Sequence, residues 1–239
     1  FLILGILFGL VVTVSTLFLK PPPQAMQVAG RRPNNKVLPD GDRSAAGARS
    51  YASWTFAAVI FSVVVGVFTF QVITTHMVAH ATDMGISPSV AAAALGLMGG
   101  FSIPGRLLSG LLSARLGWSR LLSLAFFGTG ASMLCLIWLE ETWMLYLFSL
   151  SYGVFHGMRV AAQVGIIPEV FGIHSLGELI GITTAAGQMI SAIAPYAAGA
   201  LFDATGTYSL AFLVIFFLLV AGGLVAGMIK RIAVYKDCP

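Results

Sequence analysis

Long apolar stretches separated by short polar connections dominate the chain. Seven can be drawn, at residues 1–19, 51–80, 88–113, 121–139, 142–167, 176–202 and 208–229. As helices, stretches of this length cross the hydrocarbon layer of a bilayer, which is about 30 Å thick. The pattern therefore predicts seven transmembrane helices. The first is separated from the other six by a Pro-, Gly- and charge-rich linker at 20–50.

The third apolar stretch has the clearest helix start and a single charge. Ser87 is the predicted N-cap, and Pro88 takes the first helical position, where its missing N–H is not needed. From Pro88 to Ser113 the only charged residue is Arg106. Charge inside a membrane span is energetically costly, so Arg106 is a candidate functional residue.

The composition agrees with a polytopic membrane protein whose environment is the lipid bilayer. The 239 residues are 58% hydrophobic and only 9% charged, with a mean hydropathy of +0.93, whereas soluble domains have about 25% charged residues. Cys135 and Cys238 are too far apart to suggest a disulfide framework or a metal site. The chain begins at Phe1 inside an apolar run, which predicts a fragment of a longer protein.

The distribution of basic residues predicts the orientation. Alternate connections carry eleven of the thirteen Lys and Arg residues: Lys20, Arg31, Arg32, Lys36, Arg43, Arg49, Arg115, Arg120, Lys230, Arg231 and Lys236. The only charged residues in the opposite connections are acidic: Asp83, Glu140, Glu141 and Asp203. The positive-inside rule therefore places the linker and the C-terminus in the cytoplasm, and it explains the basic pI better than nucleic-acid binding does.

Two short sequences recur across the chain. GLLSARLG at 110–117 resembles GALFDATG at 199–206, and MGIS at 84–87 resembles FGIH at 171–174. In each pair, one copy is predicted to be cytoplasmic and the other extracellular. This arrangement is typical of inverted repeats of three helices plus three helices, which many carriers contain.

The stretches 75–110, 151–172 and 199–206 resemble the major facilitator superfamily, in particular its bacterial monocarboxylate-transporter-like and oxalate/formate-antiporter branch. The resemblance implies an all-α membrane protein: the C-terminal six-helix bundle of a major facilitator fold, a 3+3 inverted repeat preceded by one further helix. It implies that 1–19 is the last helix of the N-terminal bundle, 20–50 a cytoplasmic inter-bundle linker, 51–232 the C-terminal bundle and 233–239 a cytoplasmic tail. The partner would be an N-terminal six-helix half, and the location a bacterial inner membrane.

The same resemblance implies that Arg106 binds the substrate carboxylate, although three positions depart from the pattern of the family. Ser102 stands where monocarboxylate transporters have an Asp, which argues against Asp-based proton coupling. The stretch AAGQ at 185–188 lacks the Lys of oxalate carriers. Ala114 precedes Arg115 where the superfamily motif has an Asp, so the salt bridge of that motif is expected to be absent.

Polar side chains mark four of the last six segments at spacings that place them on one helix face. The segments 121–139 and 208–229 have almost none in mid-span. This predicts that four helices line a cavity and two face lipid. The predicted substrate-binding residues are Gln71, Thr75, His76, Ser102, Arg106, His156, Arg159 and Gln188, with Ser109, Ser113, Gln163, Thr183 and Thr184 on the same stripes.

Several roles remain open for the charged and titratable candidates. Arg106 binds an anion, forms a structural ion pair or reaches the inner surface. Arg159 anchors a gate, bonds to helix C-terminal carbonyls or binds an anion. His80 is expected to be a polar tip at the headgroup level. His76, deeper in the span, is a candidate for proton coupling.

Conformational change is predicted to involve six positions. Prolines in a span kink the helix and free backbone carbonyls, so Pro104 and Pro195 are expected to interrupt their segments, as hinges or as simple bends. The other four lie in the repeated loop sequences: Gly110, Arg115, Gly117 and Asp203.

Embedded cations without deep carboxylates favour a secondary transporter that moves a small organic anion, a mono- or dicarboxylate, by alternating access with protons as a candidate coupling ion. The alternatives are a major facilitator exporter of a neutral or cationic compound, or a seven-helix receptor-like protein. No nucleophile–base, nucleotide-binding or metal-binding pattern is visible, so neither an enzyme nor a cofactor is predicted.

Overall fold

The computed structural model describes residues 54–171 and 176–229, which lie within one compact unit, 49–239. They form seven helices: α1 Trp54–Asp83, α2 Pro88–Leu116, α3 Trp118–Ile137, α4 Thr142–Phe171, α5 Leu176–Ser191, α6 Ala194–Thr205 and α7 Ser209–Met228. Each of the six predicted segments from 51 onward corresponds to one helix or, for 176–202, to two. The predicted helix at 1–19, most of the linker and the tail lie outside the described residues.

Within residues 54–171 and 176–229, five spans are long and apolar enough to cross a membrane: α1, α2, α3, the combined stretch Leu176–Thr205 and α7. At 30 residues α4 is as long as α1, but it is not among them. Its polar residues include His156, Arg159 and Gln163, and all three are buried in the protein. They lower the apolar character of α4 without exposing charge to lipid.

The α2 helix begins at Pro88, as predicted, but the Ser87 side chain forms no capping hydrogen bond. Its hydroxyl lies 3.3 Å from that of Ser89 instead. Pro104 does not break the segment, because α2 continues through it to Leu116; its role as a hinge or a bend stays a prediction. The helix ends at Gly117, whose φ of 77° lies in the left-handed region that favours glycine.

The predicted interruption near Pro195 is confirmed. The helix stops at Ser191, passes through a turn and starts again at Ala194, with Pro195 in the first turn of α6. Proline is tolerated there because the first N–H groups of a helix have no intrahelical acceptor. The span therefore consists of two half-helices.

The largest helix contact joins α2 and α4. Gly105 faces the backbone of Val154, and Gly157 faces the backbone of Ser102, so closely that a Cβ at either glycine would collide with a carbonyl oxygen. Small residues allow such close approach between membrane helices. On its other side α4 packs against α3, which in turn packs against α7. Thus α4 is the central helix of the described bundle.

Each repeated loop sequence ends its helix at a glycine, although ψ differs between them, 159° at Gly117 and 4° at Gly206. Gly117 and Gly206 both have positive φ, 77° and 72°. The Gly117 N–H donates to the oxygen of Ser113, and the Gly206 N–H donates to that of Phe202. These four residues are the matching positions of the two copies, so the similarity extends from sequence to helix termination.

The prediction that His80 is a polar tip at the headgroup level is wrong. Its side chain is 2% exposed, and Nε2 lies 3.0 Å from the carbonyl oxygen of Leu136. The last four carbonyls of a helix lack intrahelical donors, and Leu136 is in the last turn of α3. His80 therefore joins the end of α1 to the end of α3.

Candidate functional site

A cavity of about 360 Å³ lies between α1, α2, α4 and α5. These are the four helices on which the sequence placed polar stripes, whereas α3 and α7 contribute nothing to its wall. None of its lining residues is acidic. The polar side chains on its wall are Gln71, Arg106, His156, Arg159, Gln163, Thr183, Thr184 and Gln188.

Two hydrogen bonds join α4 to the backbone of α1 beneath this cavity. Arg159 Nη2 donates to the carbonyl oxygen of Gly66 at 3.1 Å, and Gln163 Nε2 donates to that of Ser62 at 2.8 Å. Donors and acceptors are both four residues apart, so each pair lies on one helix face. Arg159 Nη1 also donates to Gln163 Oε1 at 3.2 Å. The guanidinium and the amide thus form one buried unit, which we call the α1–α4 clamp.

The clamp requires a glycine on α1. A Cβ at Gly66 would overlap the guanidinium of Arg159. Arg159 is only 1% exposed, although it borders the cavity. It lies over the ring of Phe126, with Cζ 5.6 Å from the ring centroid, in cation–π geometry. Within the described residues its Nε has no hydrogen-bond partner, and its charge is balanced by no Asp or Glu.

His156 connects the clamp to the cavity. Its Nδ1 lies 2.8 Å from Arg159 Nη2, and its ring stacks on Phe70 with centroids 4.5 Å apart. On the other side its ring is parallel to that of Tyr152, at 5.8 Å. The side chain is 8% exposed and lines the cavity wall. Three neighbours therefore hold the imidazole with one edge at Arg159.

Arg106 is the exposed cation of this cavity. It projects from α2, whereas the other three walls carry only Arg159 as a further charge. In the part of the chain that the structure describes, no hydrogen bond or ion pair involves its guanidinium. A cation on a concave wall with neutral donors around it and no acid can bind an anion.

The structure places five of the eight predicted substrate-binding residues in the cavity wall: Gln71, Arg106, His156, Arg159 and Gln188. Ser102 is not among them, because it is buried at the α2–α4 contact and its hydroxyl donates to Gly99. Thr75 is exposed outside the wall. His76 Nε2 instead lies 3.0 Å from the carbonyl oxygen of Pro195.

The predicted conformational residues occupy helix ends and surfaces. Gly110, Arg115 and Asp203 are exposed, and Gly117 ends α2. Near that end, the Trp118 N–H at the start of α3 donates to Glu169 Oε2 at 3.1 Å. The carboxylate of α4 therefore satisfies one free N–H of the α3 N-terminus, where negative charge is favourable.

Sequence reasoning found Gln71 on α1 but missed the other contributions of this helix to the site. Ser62 and Gly66 contribute backbone carbonyls, and Phe70 contributes a ring, so their side-chain chemistry gives no sign of a polar site. Ser62, Gly66 and Phe70 lie four residues apart, whereas their partners Gln163, Arg159 and His156 are separated by four and three residues. The two sets can be matched only once the helices are known to be antiparallel neighbours.

Comparison with known proteins agrees with this architecture. Human monocarboxylate transporter 12 is 28% identical over 161 residues, covering 66% of this chain and 31% of that protein. Monocarboxylate transporter 4 of Gallus gallus is 28% identical over 204 residues, covering 82% of this chain and 41% of that protein. The chain therefore spans less than half the length of these relatives.

The fold itself matches a solved transporter. The crystal structure of the major facilitator superfamily transporter FucP, in the outward conformation, has a TM-score of 0.64 and 16% identity, covering 79% of this chain and 45% of that one. The family model for the Major Facilitator Superfamily matches residues 1–153 and 81–233. The receptor-like alternative is thereby excluded, and the chain belongs to the major facilitator superfamily of membrane transporters.

Proposed function

We propose that this chain provides one half of a secondary active transporter for a small organic anion, a mono- or dicarboxylate, which binds at Arg106. The observation that carries this proposal is an accessible arginine on a cavity wall that contains no acidic side chain. The matched relatives named monocarboxylate transporters support the same substrate class.

The charge balance of the cavity favours an anion over a cation. Removing a charge from water is costly unless an opposite charge pairs with it. Here two guanidinium groups border the cavity, and in the described chain no carboxylate pairs with either. A cationic substrate would add to the repulsion, whereas a carboxylate would form charge-assisted hydrogen bonds with Arg106. Gln71, Thr184 and Gln188 supply neutral groups for the rest of the molecule.

The helix geometry is suited to alternating access. In this class of carrier, two bundles rock about a central site, and broken helices often border that site. The break between α5 and α6 follows Gln188, which lines the cavity. A second six-helix bundle would close the open side, and protons are the proposed coupling ion. The linker and C-terminus are proposed to be cytoplasmic, in a bacterial inner membrane.

Uptake by the full-length protein in proteoliposomes tests the anion site. Labelled pyruvate and oxalate would serve as carboxylate probes, and a labelled organic cation as the opposing probe. We expect carboxylate uptake, with the KM of Arg106→Ala raised roughly 30-fold because a charge-assisted hydrogen bond contributes about 2 kcal/mol.

Arg120→Ala is the matched control, since Arg120 is also an exposed arginine but lies on α3, outside the cavity wall. It should leave the KM unchanged. Equal KM values for both variants, or uptake of the cation alone, would contradict the proposal and would instead support a carrier of a cationic compound.

A further inference from the structure

The buried pair of Arg159 and His156 carries an inference that rests on the proposed anion site. A guanidinium has only N–H donors and no acceptor. In the contact between Arg159 Nη2 and His156 Nδ1, at 2.8 Å, the imidazole nitrogen must therefore accept. An Nδ1 that accepts carries no proton, so the ring is neutral and its proton is on Nε2.

The surroundings of His156 oppose a second proton on the ring. The charged and titratable groups around it are Arg159 and Tyr152 on α4 and Arg106 on α2. α1 contributes only the Phe70 ring and neutral Gln71 nearby, α3 contributes Phe126, and α5 contributes threonines and an amide. An imidazolium would lose the Arg159 hydrogen bond and face two cations with no acid to balance it.

We propose that Arg159 is a positioning residue that holds His156 as a neutral imidazole, so that His156 Nε2–H donates a hydrogen bond to the anion bound at Arg106. Within the described residues, Nε2 has no protein partner, and His156 lines the cavity wall. Ring stacking on Phe70 and the Nδ1 contact fix two sides of the imidazole. His156 is then a donor at every physiological pH and does not carry the coupling proton.

The α1–α4 clamp explains how a buried arginine can do this. Its Nη atoms bond to the Gly66 carbonyl and to the Gln163 amide, which fixes the guanidinium plane. These bonds leave Nη2 directed at His156 as well as at Gly66. Arg159 therefore acts on the anion through the imidazole and does not itself need to enter the cavity.

The wild-type protein provides the first test, in which a variant serves only to identify one signal. Nitrogen NMR of the full-length, ¹⁵N-histidine-labelled protein in bilayers would report the protonation of His156, with its signal identified by its absence in His156→Phe. We expect one protonated and one bare nitrogen, with the proton on Nε2, from about pH 5.5 to pH 8. An imidazolium, or a proton on Nδ1, in this range would overturn the proposal.

Transport kinetics provide the second test. The KM for pyruvate should rise about tenfold in His156→Phe, which keeps an aromatic ring but removes the donor. An unchanged KM would refute the donor role.

In Arg159→Gln, the guanidinium that faces His156 Nδ1 is removed, so the ring takes a second proton more readily as the pH falls. The added positive charge should lower the KM of Arg159→Gln for pyruvate several-fold as the pH is reduced from 8 to 6. The KM of the double variant R159Q/H156F should not fall in this way. The ratio of the wild-type KM to the His156→Phe KM should likewise be the same at pH 8 and pH 6. If Arg159 had a purely structural role, the KM of Arg159→Gln and the KM of R159Q/H156F would depend on pH in the same way. If Arg106→Ala left uptake intact, the proposed anion site would be refuted. The NMR result would still decide whether His156 is neutral and which nitrogen carries its proton.

Discussion

His76 and Pro195 are joined by a hydrogen bond from the imidazole to the backbone. Nε2 of His76 lies 3.0 Å from the carbonyl oxygen of Pro195, and its ring centroid is 5.1 Å from that of Tyr208. The bond links α1 to the first turn of α6, immediately after the helix break. His76 therefore contacts the broken span next to its break, although it does not line the cavity.

Replacing His76 by Gln tests its proposed role in proton coupling. We expect His76→Gln to abolish the pH dependence of uptake, because the glutamine amide cannot take up and release a proton as an imidazole can. The measurement is the initial rate of labelled pyruvate uptake between about pH 5.5 and pH 8. His80→Gln is the control, since His80 bonds to Leu136 on α3 instead of the broken span. A wild-type pH profile for His76→Gln would refute the coupling role.

The α1–α4 clamp predicts a strong effect from a single methyl group on α1. Gly66→Ala would force the guanidinium of Arg159 out of its position, and overpacking of this kind costs about 1–3 kcal/mol. We expect a lower thermal unfolding temperature in detergent. Gly181→Ala on α5 has open space around its Cβ, so the better helix propensity of alanine should leave stability equal or higher. The same loss in both variants would argue against the clamp.

The α2–α4 contact predicts a comparable asymmetry between two other glycines. Gly157→Ala would place a Cβ against the Ser102 carbonyl, and a backbone cannot move aside as a flexible side chain can. We expect the helices to separate, with loss of thermal stability and of transport. Gly96→Ala, in the open first half of α2, should be harmless. A stable Gly157→Ala variant would show that α2 and α4 are further apart than described.

Much of the architecture was predictable because hydrophobic length and charge distribution act locally along the chain. The start of α2 at Pro88 follows from proline chemistry, and the break near Pro195 follows from the missing N–H. Pro104 has the same chemistry, yet α2 continues through it. The surroundings differ, since the neighbouring Gly105 lies against the backbone of Val154 on α4.

The polar stripes predicted which helices surround the cavity but not which side chains face it. Ser102 and Arg106 are one helical turn apart, yet Ser102 is turned into the α4 contact and Arg106 lines the wall. Helical periodicity alone cannot resolve a rotation of this size. His80 was misjudged for a related reason, since its partner, the Leu136 carbonyl, belongs to a helix end 56 positions away in sequence.

The position of Arg159 has a consequence for how the protein is made. The insertion machinery reads each emerging helix by its own apolarity, and an arginine at mid-span costs about 2.5–3.5 kcal/mol on that scale. Among the described spans, α4 is the one that length and composition do not mark as able to cross a membrane, and its guanidinium bonds to a carbonyl of α1, which is synthesised earlier. We therefore expect α4 to enter the bilayer together with helices already inserted there, so that a substitution at Gly66 impairs biogenesis before any cargo is carried.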